Sequence, residues 1–413
     1  MNFNDWKQLA PEDAAREVRR RVEALLPSGQ RRAAIASVSG EDTLAQAFAA
    51  APRGPLGGVP YFLKDLFDAA GLPTLAGATF VPEIRPMPGS DSAILGGLRN
   101  AGAVFSGKTH LFEFAWGLTG ENPHHGDCER PGFPGRTSGG SSSGSAVLVA
   151  AGVVPLAIAT DTGGSVRVPA AFCGIHGFRG VPHHPWIADA FPLAQSFDTA
   201  GWFTGNAADM RATLAALVGS RHADRAPRGC RLEPPGLDPE VSEAFHAAAG
   251  RFAPEPDTAT RDALLAAFAP AAGHYNILAS REAWEVHAPW ADRFRDRYGP
   301  IVRERLDFAR RITPASAAAS AIGAAEVRSC MSGFFRTFDF LILPAAPFAA
   351  LSKQDCTPAN RLRMLGLTAP ASICGLPVLT LPVPLPSGLT TGLQLIAADP
   401  KSPVFDWALG SAP

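Results

Sequence analysis

No stretch of the sequence approaches the ~18 uninterrupted apolar residues of a membrane span, which excludes a helical membrane protein. The N-terminus, Met1-Asn2-Phe3-Asn4-Asp5-Trp6, has no basic region followed by an apolar run, so the expectation is a cytoplasmic chain without a signal peptide. Charge of one sign is missing as well. The net charge is −1, which argues against nucleic acid or an anionic membrane surface as a partner. The cysteines (Cys128, Cys173, Cys230, Cys330, Cys356, Cys374) are scattered, with no CxxC spacing. That fits thiols at rest in a reducing compartment and supplies neither a disulfide frame nor a zinc site. No internal repeat is present.

What is there is a chain rich in core-forming residues. It has 413 residues, 46% hydrophobic and 18% charged, enough for one large domain or two ordinary ones. With 41 glycines and 38 prolines, many short elements are joined by tight turns. Pro11, followed by Glu12 and Asp13, opens a helix with Val18, Val22, Leu25 and Leu26 on one stripe, and Pro27-Ser28-Gly29 stops it. A short helix is expected over Thr43–Ala50. Val59–Leu63 reads as a buried strand ending at Lys64, Asp91–Ala101 as a helix, and Ala103–Ser106 as the next strand. Gly117–Gly140 reads as a long irregular loop, Ser145–Ala151 as a small-residue helix and Pro155–Thr160 as a strand. This alternation is α/β organisation. Residues 218–260 read as a surface excursion, 262–330 as mainly helical with Trp284, Trp290, Phe294 and Tyr298 on a packed face, and Phe340–Pro344 and Val378–Val383 as buried strands.

The chemistry points to two glycine–serine turns, Gly139-Gly140-Ser141-Ser142-Ser143-Gly144 and Asp161-Thr162-Gly163-Gly164-Ser165-Val166-Arg167, with a lone Lys64 upstream. A serine hydroxyl is a poor nucleophile until a base takes its proton, and neither turn contains a histidine. Lys64 can be that base if burial at the end of an apolar strand keeps it neutral. The two glycines before Ser165 let backbone N–H groups converge as a tetrahedral oxyanion requires. Ser141 sits in a turn where glycine makes unusual backbone geometry affordable.

Two motif matches compete. Gly140–Gly144 satisfies GxSxG with Ser142 as nucleophile, but that motif needs a strand before it, and residues 126–139 cannot be one. Gly102–Thr109 satisfies GxxxxGK[ST], but its intervening residues are apolar and read as the strand itself. The pairs His124-His125 and His183-His184 read as solvated loop histidines, since no acidic or cysteine cluster accompanies them. Cys173 has no evident base beside it and reads as small-residue packing.

The block Gly139–Arg167 resembles the defining segment of the amidase signature family. Gly57-Gly58-Val59-Pro60-Tyr61-Phe62-Leu63-Lys64-Asp65 resembles that family's lysine segment, and Ala103–Thr109 the strand and turn after it. Pro169–Gly174, Pro192–Thr199, Gly375-Leu376-Pro377 and Gly392–Ile396 continue the likeness, dense over about 54–204 and thinner from 266 onward. The resemblance implies one α/β domain over 1–413: a central mixed sheet with helices on both faces, and a helical substrate-side region at about 262–330. It places the nucleophile at Ser165, the bridging serine at Ser141 after a cis Gly140–Ser141 bond, and the base at Lys64. The oxyanion donors fall on the N–H groups of Thr162, Gly163, Gly164 and Ser165, with Asp161, Arg167 and Ser142 as supporting residues. The chain departs from the common pattern at Ser143, Ala159 and Arg179-Gly180-Val181-Pro182.

The implied activity is hydrolysis of a small-molecule carboxylic amide through a seryl acyl-enzyme, with no metal and no cofactor. Within the family the scaffold looks closest to indole-3-acetamide hydrolases, so an apolar or arylalkyl amide is favoured, with Trp116, Phe114 and Gly140 as pocket candidates. A carbamate- or urea-type hydrolase, an esterase, a nucleotide-binding protein using Gly102–Thr109 and an amidotransferase subunit are the alternatives, and a homodimer stays open.

Overall fold

The computed structural model describes residues 1–222 and 225–411. Ten strands among them form one sheet: β1 (Ile35–Val38), β2 (Pro60–Lys64), β3 (Val104–Thr109), β4 (Leu156–Asp161), β5 (His176–Arg179), β6 (Thr199–Thr204), β7 (Gly229–Arg231), β8 (Phe340–Pro344), β9 (Val378–Pro384) and β10 (Thr390–Ala397). Their order is β1-β3-β2-β4-β6-β5-β9-β10-β8-β7. β2 is parallel to both β3 and β4, and β7 to β8; the other pairs are antiparallel, so the sheet is mixed.

Both faces of the sheet are covered, which is why its strands read as continuous apolar runs. Tyr61 and Leu63 pack with Ile158, Phe178 and Leu395 on one face, against the helices Ala93–Asn100, Ala207–Leu217 and Pro403–Ser411. Phe62 turns the other way, into a cluster with Val104, Val147 and Leu148. Side chains alternate along a strand, so Lys64 shares the face of Phe62, towards the helix Ser143–Ala150. Ser143 to Val149 are all buried, in keeping with a helix built of small residues packed between elements.

The expected elements are present, with shifted ends. β3 runs on through Gly107-Lys108-Thr109, beyond the strand end expected at Ser106. The first long helix stops at Ala24, and Ser28 opens another (Ser28–Ala34). The span 262–330 is mainly helical, with helices Ala271–His287, Pro300–Arg310 and Pro314–Phe334. Residues 218–260 are not a surface excursion: β7 extends the sheet edge alongside β8, and the helix Pro239–Ala249 buries Val241, Phe245 and Ala249. Residues 223 and 224 of that span lie outside the described residues. No described helix is long and apolar enough to cross a membrane.

Candidate active site

In the parallel pair β2–β4, Leu63 lies level with Ile158, so the two carboxyl ends emerge side by side. That edge is where open α/β sheets place ligands. Lys64 ends β2, and its Nζ lies 2.7 Å from Thr160 Oγ1 on β4, 2.8 Å from Ser141 Oγ and 2.9 Å from Ser142 Oγ. All three partners are hydroxyls. The side chain is fully buried, and loss of water pushes its pKa down to about 7 against the opposing pull of Asp161 and Asp198.

Ser141 is fixed by the backbone around it. The Gly140–Ser141 peptide is cis, and Gly139 has φ +74°. The N–H of Phe112 donates to Ser141 O, and that of Gly140 to Leu118 O, each at 3.0 Å. A side chain at 140 would collide with the Thr119 carbonyl, so only glycine lets the two segments touch. Ser142, expected as a supporting residue, touches the lysine directly while its hydroxyl donates to Thr160 O at 3.0 Å. Thr160 carries no signal in the sequence that marks it as part of the site.

The second turn is organised by Asp161. Its carboxylate accepts from the N–H groups of Gly164 (2.8 Å), Val166 (3.0 Å) and Arg167 (3.3 Å), and from the guanidinium groups of Arg167 (2.8 and 3.0 Å) and Arg179 (2.7 Å). Burial opposes this charge, yet Arg167 and Arg179 hold the carboxyl far below the usual carboxylate range. Arg167 also reaches Thr368 O (2.6 Å), Ser372 Oγ (2.7 Å) and Gln394 Oε1 (3.0 Å), and Thr368 donates to Gly163 O at 2.6 Å. In the sequence Arg179 stands out only as a departure from the family pattern. It is the last residue of β5, fully buried, and its contact with Asp161 is a brace that no sequence motif marks.

One expected oxyanion donor is corrected by this arrangement. The N–H of Gly164 is taken by Asp161, so it is not free to meet an oxyanion. The N–H groups of Thr162, Gly163 and Ser165 have no protein acceptor among the described residues. A side chain at 163 would collide with the Tyr275 hydroxyl, which stands over the turn. The structure therefore joins Lys64 to Ser141, while Ser165 Oγ, in a residue only 2% exposed, makes no protein hydrogen bond among the described residues. Catalytic hydrogen bonds are often open without substrate.

A cavity of about 410 Å³ is walled by neighbours of the two turns rather than by the turns themselves, with Phe112, Leu118, Thr119, Asn276, Arg305 and Arg361 among its lining. Phe112 and Leu118 are the residues bonded to Ser141 and Gly140, and Asn276 follows Tyr275. Phe114 and Trp116, expected as pocket residues, are not in the wall of this cavity. Phe114 is instead fully buried among Phe80, Phe191, His287 and Tyr298, and Trp116 stacks on His287 at 6.2 Å between ring centroids.

Neither competing motif has the geometry its chemistry needs. Lys108 of the GxxxxGK[ST] match is 1% exposed and paired with the carboxylate of Asp65, and it donates to Pro73 O and Thr74 Oγ1 at 3.1 Å each. Its N–H and ammonium groups face the protein interior, so no phosphate cradle exists there. Residues 126–139 contain no strand, as a nucleophile elbow at Ser142 would require. Burial pushes the Cys173 thiol up to about 12, far from a thiolate. His124 and His125 are not simply solvated: His124 Nε2 lies 2.8 Å from Glu113 Oε1, and His125 stacks on His110 at 3.8 Å.

Three comparisons bear on this geometry. A family model described as Amidase matches residues 18–251. The chain is 41% identical over 201 residues to an indoleacetamide hydrolase of Pseudomonas savastanoi, a match covering 46% of this chain and 43% of that protein, so it spans less than half the length of that relative. It is 31% identical over 376 residues to the 1-carboxybiuret hydrolase subunit AtzE of Pseudomonas sp. (strain ADP), covering 83% of this chain and 81% of the relative. A crystal structure of an amidase superposes with a TM-score of 0.85 at 29% identity, covering 100% of this chain and 99% of that one. With a family match over more than half its length and a relative aligned across most of both chains, this protein belongs to the amidase family.

Proposed function

We propose that the protein is an amidohydrolase in which Lys64, Ser141 and Ser165 form a proton relay and Ser165 is the nucleophile. The observation that carries this reading is a fully buried lysine whose amine contacts only hydroxyls, 2.8 Å from a serine behind a cis peptide. A neutral amine has two N–H bonds and one lone pair. The Ser142 hydroxyl already donates to Thr160 O, so Ser142 takes one N–H, and Thr160 Oγ1 takes the other. The lone pair is left for the Ser141 hydroxyl. Ser141 passes its proton to Lys64 and receives that of Ser165 as Ser165 Oγ bonds to the carbonyl carbon. The N–H groups of Gly163 and Ser165, with Thr162, receive the developing oxyanion. The proton then returns through Ser141 to the leaving nitrogen, the C–N bond breaks, and an acyl ester remains on Ser165. Water cleaves that ester by the same relay, releasing the acid.

The substrate is a small-molecule carboxylic amide. Likeness to the indoleacetamide hydrolase and the apolar wall residues Phe112 and Leu118 support an arylalkyl amide. A carbamate- or urea-type substrate is the second reading, supported by the longer alignment with the 1-carboxybiuret hydrolase subunit. The test is a panel of amides and carbamates with product detection, paired with Ser165→Ala. The variant is expected to keep its melting temperature and lose turnover on every substrate the wild type cleaves, and an acyl mass is expected on the wild-type Ser165 peptide. Hydrolysis retained in Ser165→Ala would place the nucleophile elsewhere.

A further inference from the structure

Arg305 and Arg361 stand together in the wall of the cavity beside the two turns. Neither takes part in an ion pair among the described residues. Arg305 Nη1 and Arg361 Nε are buried with no hydrogen-bond partner, and the only side-chain acceptor for the pair among the described residues is Asn276 Oδ1, 3.1 Å from Arg361 Nη1. Burial lowers the proton affinity of Arg305 well below the ordinary value, and the neighbouring Arg361 charge lowers it further. A guanidinium nonetheless keeps its proton. Two like charges left side by side and short of acceptors are costly unless an anion joins them. The acids at this cavity, Glu121 and Glu304, act on Arg305 only at a distance: neither pairs with either arginine among the described residues, Glu121 accepts the Thr119 hydroxyl at 2.7 Å, and Glu304 is exposed. Phe112 lies against the Arg305 guanidinium, 5.5 Å from its ring centroid, and with Leu118 and Phe308 it supplies the apolar part of the lining.

Resting on the amidase reading, we infer that the substrate carries a carboxylate at the end away from its amide, bound by Arg305 and Arg361, with an apolar spacer against Phe112 and Leu118. A planar guanidinium matches a carboxylate in two parallel hydrogen bonds. The substrate class is then the monoamide of a dicarboxylic acid. A neutral arylalkyl amide would leave both arginines as they are.

The test compares succinamate, glutaramate and adipamate with butanamide, pentanamide and hexanamide, the neutral amides of equal length. At the best length the wild type is expected to favour the anionic amide at least tenfold in kcat/KM, chiefly through KM, and less so as salt rises. In Arg305→Gln this preference is expected to fall by about 10–100-fold, the range for a lost charged hydrogen bond. Should that variant not fold, glutarate should still raise the melting temperature of the wild type more than pentanoate does. Equal kcat/KM for anionic and neutral amides at every length would overturn the inference and leave the amidase reading intact. If no amide is cleaved, the amidase reading fails, and the carboxylate site then stands or falls on the glutarate melting shift alone.

Discussion

Lys64 is the last residue of β2 and Lys108 the last but one of its neighbour β3, one residue out of step across the pair, and both are buried. Their partners differ. Lys108 faces the carboxylate of Asp65, whereas Lys64 faces only the hydroxyls of Ser141, Ser142 and Thr160. A carboxylate makes a lysine a structural ion pair. Hydroxyls can solvate it without fixing its charge, and burial then brings the amine near neutrality at physiological pH. Residue type and burial are the same, but the one-residue offset turns the two side chains to opposite faces of the sheet, and the oxygens met there decide which lysine can serve as a base.

The comparison can be broken most directly by removing each lysine. Lys64→Ala is expected to cut kcat/KM by about 10³-fold or more with little change in melting temperature, since the loss of one member of a relay removes the unit. Near-normal turnover in that variant would dissolve the distinction. Lys108→Ala should do the opposite, destabilising the fold by about 3–5 kcal/mol because Asp65 is left buried and unpaired, as read from denaturant unfolding.

The pH profile sharpens the contrast. A base must be deprotonated, so kcat/KM should fall about tenfold per pH unit below about 7 and level off above it. A flat acid limb would mean that Lys64 does not titrate in the working enzyme. The smallest effect is expected from Thr160→Val, which removes one hydroxyl from the ammonium. That change should lower kcat/KM by about tenfold and move the acid limb to lower pH, because the charged form loses a hydrogen bond. A limb that stays in place would show that Thr160 only packs beside the lysine.

Much of this site is legible in the chain itself. The apolar run before Lys64 and the two glycine–serine turns mark all three residues of the proposed relay, because strand burial and glycine turns leave local signatures. The partners that complete the site leave none. Thr160 meets Lys64 across 96 positions, and its threonine is unremarkable within an apolar strand. The engagement of Gly164 by Asp161 depends on which way one peptide faces, which spacing does not encode. Phe114 and Trp116 illustrate the reverse error, since aromatic residues near a site look alike whether they face a ligand or a core. In the fold, β7 escapes notice because Gly229-Cys230-Arg231 is too short to show a period and gains its place only by lying beside β8. The helix Pro239–Ala249 carries its buried residues at helical spacing, but Pro and charge around it mask the signal.

The reach of Arg167 ties the second serine turn to segments made much later in synthesis. Its contacts with Thr368, Ser372 and Gln394 lie more than two hundred positions downstream. A nascent chain that has already folded both serine turns still lacks the groups that hold the second one in shape. The second turn therefore gains this part of its bracing only once β10 has emerged and paired.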